Sequence, residues 1–438
     1  MGAHARRESS ESRGIRWLLV FWLFVISAIA YLDRVNISIA GQSIAREYHL
    51  DNIRLGWVFS AFILGYALFM IPCGHLTDLL GPRLTLTLMG LLSALFTLLI
   101  VGAGRPGLGA VIGIVPALFT IRFGLGVVTA PLYPACARMT ANWIPFIYHA
   151  RVQALVMAGS SLGAAIAPVL FTWMLMQFRW RWSFTLAAAA TAVVGVCWYW
   201  YARDCPSGAT RSPVIERKAH RASWARLFAD RNLVLLTFAY ATLGYFQYIF
   251  FYWIFYYFGE IQHLNAKTSA RYTTILFLTE GAIMPLGGLL SDRLTRIYGA
   301  QFGRRVVPIV GVACTAVLTY AATVSSTPVT VLAFLSLALG LSSCCEGPFW
   351  ALVTEIGKDH VGGAGSVLNT GAQVGGFFAP ILTPYIASMA GWSWGLYAGS
   401  LIVVSGAIAV YFVKVPTGTG APYSTLPAHT GTRESNRT

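Results

Sequence analysis

Gly74-His75-Leu76-Thr77-Asp78-Leu79-Leu80-Gly81-Pro82-Arg83 ends one long apolar run and opens the next, and Gly288-Leu289-Leu290-Ser291-Asp292, followed by Gly303-Arg304-Arg305, returns 214 residues later. A Gly/Pro turn between two apolar runs reverses a chain. Two more features recur at nearly the same distance. Gly159, Gly163 and Pro168 return as Gly371, Gly375 and Pro380, and Thr129-Ala130-Pro131-Leu132-Tyr133 aligns with Glu346-Gly347-Pro348-Phe349-Trp350. The chain therefore reads as a duplicated unit. In a membrane, two parallel halves place a carrier's site between them, near the bilayer midplane.

The composition requires the membrane. Of 438 residues, 56% are hydrophobic and 11% charged, where soluble domains carry about 25% charged. Single cores stop growing near roughly 250–300 residues, so lipid must solvate much of this surface. Seven cysteines stand at 73, 136, 197, 205, 314, 344 and 345 without metal or redox spacing. They read as small packing residues, and no metal or cofactor is expected. The net charge of +15 comes from 31 Lys and Arg against 16 Asp and Glu. The basic residues fall in short connecting loops rather than on one face, which argues against a nucleic-acid partner.

Twelve runs reach the ~20 residues that cross hydrocarbon as a helix. They lie near 17–44, 55–77, 84–104, 109–137, 152–175, 182–202, 232–258, 269–290, 306–324, 329–353, 364–388 and 392–414. The expected architecture is all-α, twelve transmembrane helices in two pseudo-symmetric six-helix halves. Residues 1–16 form a polar N-terminal segment, and 17–202 and 232–414 form the halves. Residues 203–231 form a basic linker (Arg211, Arg217, Lys218, Arg221, Arg226), and 415–438 a Pro/Gly/Ser/Thr-rich tail that reads as disordered. The first run lacks a small-residue cleavage site and reads as an uncleaved span. Arg6, Arg7, Arg13, Arg16, Arg83, Arg138, Arg151, the linker, Arg293, Arg296, Arg304, Arg305, Lys358 and Lys414 collect on one side. The other side carries Arg46, Arg54, Arg105, Arg179, Arg181, Lys267 and Arg271. The excess marks the cytoplasm, so both termini and the linker are expected there, in a multi-pass protein of the cell membrane.

The stretch at 74–83 resembles the loop motif of the major facilitator superfamily. Tyr31-Leu32-Asp33-Arg34-Val35-Asn36, Arg122, Pro131-x-Tyr133-Pro134-Ala135 and the aromatic run Tyr245–Tyr257 are similar to its anion:cation symporter group. That group includes galactonate, glucarate and hexuronate permeases and animal vesicular anion carriers. The resemblance covers roughly residues 16–414. It implies proton-coupled symport of a small organic anion, a sugar acid, by alternating access, without cofactor, in a monomer. It also implies that Asp78 with Arg83, and Asp292 with Arg293 or Arg305, brace the halves in the outward-open state. Related permeases carry Glu two residues before the span 4 proline, and this chain carries Thr129.

Charges inside spans cost about 2.5–3.5 kcal/mol each on insertion scales and mark function. Arg34 lies mid-span 1, and Arg122 about thirteen residues into span 4, roughly 20 Å along the helix. Two guanidiniums on one cavity would hold a carboxylate by bidentate bonds; the structural alternative is pairing with Asp33. Adjacent helix residues point about 100° apart, so Asp33 and Arg34 cannot both face one partner head-on. Asp33 is the leading proton carrier, competing for arginine when ionised. Thr129 cannot titrate, so Glu346, or Glu280 in span 8, is expected to replace the missing carboxylate. Tyr31, Tyr66, Tyr248, Tyr252, Asn369 and Gln373 are candidate contacts for cargo hydroxyls, against the reading of tyrosines as packing groups. Trp253 is a candidate pocket lid. Gly159, Gly163, Gly371 and Gly375 read as close-packing positions. No phosphate-binding Gly-Lys-Ser/Thr loop supports an ATP-driven pump, no nucleophile–base pair supports an enzyme, and no cytoplasmic domain supports a sensor. Facilitated diffusion, exchange or sodium coupling are the alternatives that Thr129 leaves open.

Overall fold

A computed structural model describes residues 2–104, 107–144, 148–205, 228–357 and 361–414. The linker arginines and Lys218, together with Arg105, Lys358, the 415–438 tail and the side chains of Arg6, Arg7 and Arg13, lie outside the described residues. Among those described there is no strand, and eleven helices are long and apolar enough to cross a membrane. These are α1 (Gly2–Tyr48), α2 (Asn52–Leu80), α3 (Pro82–Val101), α4 (Ile114–Trp143), α5 (His149–Gln177), α6 (Trp180–Tyr201), α7 (Arg231–Ile261), α8 (Ala266–Tyr298), α9 (Ala300–Thr323), α10 (Pro328–Gly357) and the terminal Trp392–Phe412. Between the last two lies α11 (Val361–Ala390), so Trp392–Phe412 is α12.

The packing repeats with the sequence. In the first half α1 lies on α5, α2 on α4 and α3 on α6. In the second α7 lies on α11, α8 on α10 and α9 on α12. Between halves, α2 meets α11, α5 meets α8, and α1 meets α7 on the axis. The four repeated glycines make the intimate contacts possible. A Cβ on Gly159 or Gly163 would stand 2.4 or 2.0 Å from the carbonyl oxygens of Phe24 and Ala28 on α1. On Gly371 or Gly375 it would stand 2.7 or 1.8 Å from those of Thr237 and Ala241 on α7.

Local chemistry sets the breaks. Gly81 (φ 83) and Gly299 (φ 86) end α2 and α8 in left-handed backbone, which glycine adopts without Cβ strain. The turn equivalent to Gly81 is therefore Gly299. Gly303, aligned with Gly81 from sequence, lies inside α9, where a Cβ would meet Thr295 N at 2.3 Å. Asp51, Asp230, Asn265 and Thr327 cap the N-termini of α2, α7, α8 and α10. α4 breaks at Ala130–Pro131, where proline brings no N–H, and α10 at Cys344–Cys345. α1 runs beyond the expected 17–44 in both directions, since its polar first turns contain no proline to stop it. Residues 109–112 form a separate turn, with Gly113 (φ 87) setting the start of α4.

Polar contacts between the halves concentrate at the end where α1 finishes and α2 begins. Arg46 pairs with Glu260 at 2.5 Å, and Asn52 donates to the Tyr256 hydroxyl at 3.0 Å. Ser60 donates to the Phe377 carbonyl at 2.6 Å, and Thr274 to that of Ala165 at 2.7 Å. Among the described residues, ion pairs at the opposite end stay within one half.

Candidate substrate and coupling site

Arg34 and Arg122 project into the centre of the bundle, 7% and 0% exposed. Arg34 donates to the Tyr248 hydroxyl of α7 and, at 3.5 Å, to that of Tyr31. Its guanidinium carbon lies 5.2–5.6 Å from the rings of Tyr31, Phe62, Tyr66 and Tyr248. Such contacts stabilise a cation by about 0.5–2 kcal/mol each. Arg122 donates from Nη2 to the Arg34 carbonyl at 3.3 Å and lies 5.0 Å from the same Phe62 ring. Its Nε and Nη1 are buried without a hydrogen-bond partner among the described residues, as is the Tyr252 hydroxyl. Neither guanidinium takes part in any ion pair among the described residues. The alternative of a structural pair with Asp33 is not what this conformation contains.

Asp33 is buried and faces the other way. Its Oδ2 accepts from Thr191 of α6 at 2.7 Å, while Oδ1 has no partner. Direct competition between Asp33 and cargo for an arginine is thus absent from this arrangement. Tyr248 also donates to Gln373 Oε1 at 3.1 Å, which ties Gln373 into the central cluster. Asn369, one turn away on α11, donates instead to the Met70 sulfur at 3.2 Å. The structure therefore gathers Arg34, Arg122, Tyr31, Tyr66, Tyr248 and Gln373, with Tyr252 stacked on Phe59 at 5.1 Å beside them. Among the described residues, Asn369 shares no hydrogen bond with them. Trp253 is fully buried and donates to the Pro380 carbonyl at 3.2 Å.

Glu346 and Glu280 belong to one network in the second half. Glu346 accepts from Tyr240 at 2.5 Å and from Gln247 at 3.2 Å. Gln247 also donates to Ser343 at 3.2 Å, and Ser343 donates to Glu280 at 2.9 Å. Two carboxylates are thus joined through one amide and one hydroxyl, with no cation paired to either among the described residues. Glu280 also lines a small cavity with Tyr31, Ser161 and Phe251, between the halves. Thr129 donates to the Leu125 and Gly126 carbonyls of its own helix at 2.8 and 3.1 Å, a packing role.

The loop residues pair differently from the expectation. Asp78 approaches Arg138 at 3.8 Å, while the Arg83 guanidinium donates to the Tyr199 carbonyl at 2.7 Å. Asp292 pairs with Arg304 at 2.5 Å, and Arg304 with Glu355 at 3.0 Å. Arg305 donates to the Val410 carbonyl at 3.2 Å. Arg304 wins because its side of α9 faces Ser291 and Asp292, both of which its Nη1 reaches, whereas the next residue along points about 100° away.

Sequence reasoning missed Phe62, Thr191, Gln247 and Ser343. Phe62 carried a signal, standing four residues before Tyr66 on one helical face. Gln247 carried another, 214 residues after Asp33 and so at its equivalent position.

The profile of the Major Facilitator Superfamily matches residues 23–356 and, in a second match, 274–434. Similar proteins include the probable sulfoacetate transporter SauU of Cupriavidus necator, 29% identical over 88% of this chain and 91% of that protein. A hexuronate transporter of Bacillus subtilis is 27% identical over 92% of this chain and 97% of its own. The probable L-galactonate transporter of Escherichia coli is 24% identical over 94% and 92%. Among solved structures, a bacterial homologue of the human lysosomal transporter Spinster superposes with a TM-score of 0.76 at 15% identity, over 91% of this chain and 97% of that one. A D-xylose–proton symporter gives 0.71 at 14%, over 91% and 97%. The duplicated loop, the two six-helix halves and these matches agree: the chain belongs to the Major Facilitator Superfamily.

Proposed function

We propose that this protein is a secondary active transporter that carries a small organic anion, a sugar acid or similar carboxylate, by alternating access and in symport with protons. One observation carries the reading: Arg34 and Arg122 are buried at the interface of the halves with aromatic and carbonyl neighbours but, among the described residues, no carboxylate partner. A buried charge without a counter-charge costs several kcal/mol, and an anionic cargo supplies the missing partner through charge-assisted bonds. Tyr31, Tyr66, Tyr248, Tyr252 and Gln373 supply hydrogen bonds to its remaining oxygens, with Asn369 joining from the next turn of α11. The names of the relatives, transporters of sulfoacetate, hexuronate and galactonate, support the same class of cargo.

Coupling falls to Asp33 and to the Glu346–Glu280 pair. Against two buried arginines the spans hold three carboxylates, so an incoming anion adds negative charge that protons can neutralise. Arg46–Glu260 holds the halves together at the outer end, and Asp78, Arg83, Asp292 and Arg305 re-pair across the halves when the inner end closes. The arginine distribution supports a cytoplasmic side for both termini and the linker in the cell membrane, and the protein is read as a monomer. Sodium coupling or exchange is the second reading, favoured by Thr129 being committed to its own helix. Uptake of labelled hexuronate, galactonate and sulfoacetate into proteoliposomes tests both. Accumulation driven by an inward proton gradient is expected; equilibration without accumulation, or accumulation driven only by sodium, would replace symport with protons.

A further inference from the structure

We propose that the proton exchanged at Asp33 passes through a single-water niche between α1, α3 and α6, separated by the body of α1 from the central cluster of Arg34 and Arg122 that is proposed to bind the cargo. This rests on the coupling role given to Asp33 above. Asp33 and Arg34 are consecutive on a helix and point about 100° apart. Arg34 reaches α7 on the axis, while Asp33 turns to the peripheral helices of its own half. There it lines a cavity of about 20 Å³ with Met89, Gly90, Ser93, Thr191 and Gly195. A water needs about 10–15 Å³ and two to four polar partners.

The partners are present. Among the described residues, Asp33 Oδ1 and Ser93 Oγ are both buried without a hydrogen-bond partner, while Thr191 already holds the other carboxylate oxygen. The space exists because two glycines meet there, a Cβ on Gly90 standing 3.2 Å from the Gly195 Cα. Thr97 on α3 and Ser183 on α6 are also buried and without partners, one and two turns from the niche toward the end where Arg46 pairs with Glu260. These hydroxyls mark the side from which the proton enters. Arg122 on α4 is the charged group whose field reaches Asp33; the residues of α3 and α6 that line the niche bring only hydroxyls and apolar groups. In the transfer, a hydroxyl of the line gives its proton to the water oxygen and regains one from the outer side, while the water releases one of its own protons to Asp33 Oδ1, where the new O–H bond forms, with no electron transferred.

Infrared difference spectra of the purified full-length protein test this. The protonated-carboxyl band is assigned by its loss in Asp33→Asn, and its hydrogen–deuterium exchange is timed. Ser93→Ala removes one water partner. Gly195→Ala fills the niche while its methyl meets neighbours no closer than 3.5 Å, so the fold is kept. Each is expected to slow exchange about tenfold or more, the effect of ~1.4 kcal/mol on a barrier, and to leave cargo counterflow intact. Exchange unmoved by both variants, exchange slowed instead by Tyr66→Phe in the central arginine cluster, or no Asp33-dependent band at any pH overturns the niche. Accumulation retained in Asp33→Asn proteoliposomes would remove the coupling role separately, whatever the infrared exchange gives.

Discussion

Arg34 and Tyr248 stand 214 residues apart, occupy equivalent positions in α1 and α7, and join the halves by a guanidinium-to-phenol hydrogen bond at the centre of the protein. Arg46 and Glu260, three helical turns further along the same two helices, are also 214 apart and also paired. Duplication placed each residue opposite its own counterpart across the axis. Divergence then turned a self-facing position into a cation with an acceptor. The central bond ties Arg34, the arginine proposed to bind cargo, to the seam between the halves.

Arg122→Ala is expected to abolish uptake while membrane insertion and helical content stay normal. Breaking a desolvated charge pair costs about 2–5 kcal/mol, so binding should weaken at least about thirtyfold. Arg122→Lys keeps the charge without the bidentate fork and should fall between the two. Binding and uptake of labelled sugar acids measure both; near-normal uptake in the alanine variant would take Arg122 out of the site.

Tyr248→Phe keeps the ring over Arg34 but deletes its acceptor and the donor to Gln373. Loss of such a bond costs about 0.5–1.5 kcal/mol, a several-fold rise in the half-saturating cargo concentration. Gln373→Ala should act through the same group, so the two losses should be less than additive in a double-mutant cycle.

Asp33→Asn is expected to lose gradient-driven accumulation and keep exchange of labelled for unlabelled cargo. Persistent concentrative uptake would move coupling to Glu346 and Glu280. Glu346→Gln then takes the same assay, with Ser343→Ala reporting whether the two glutamates act through their shared bridge.

Arg46→Glu should loosen the closed end. The pair's side chains are 73% and 41% exposed, so it contributes at most about 1 kcal/mol, a shift of up to about fivefold between conformations. Fluorescence energy transfer between labels at the outer ends of the halves reads the shift. The Arg46→Glu, Glu260→Arg double variant should restore the distribution, and high salt should mimic the single variant.

Gly163→Val and Gly375→Val should each prevent stable packing, since even a Cβ would stand about 2 Å from a carbonyl oxygen on the neighbouring helix. Overpacking of this kind costs about 1–3 kcal/mol or more. Monodispersity and melting temperature in detergent provide the measure. A stable, active Gly375→Val protein would contradict the α7–α11 contact.

Much of this architecture was legible along the chain. Long apolar runs must be helices in lipid, because no other backbone arrangement satisfies its own hydrogen bonds there. The repeated loop and glycines declared two halves, and the arginines inside spans 1 and 4 marked the place where the anion site is proposed. These are local properties: composition, period and the cost of a charge in hydrocarbon act on each segment wherever it lies. The same local rules placed the stop of α2 at the Gly81-Pro82 turn, whereas the break of α4 at Ala130–Pro131 falls inside the expected run 109–137 and came from the structure.

Partner choice belonged to the tertiary structure. Asp33 and Arg34 are neighbours in sequence, yet one bonds Thr191, 158 residues away, and the other Tyr248, 214 away. Asp78 and Asp292 took Arg138 and Arg304 in place of the arginines expected from the loop motif. Glu280 and Glu346 became one network only because Gln247 and Ser343 were brought between them. A side chain's partner depends on how its helix is rotated and which helix lies beside it. That rotation is set by the sum of packing contacts along every helix, which no single stretch of sequence contains.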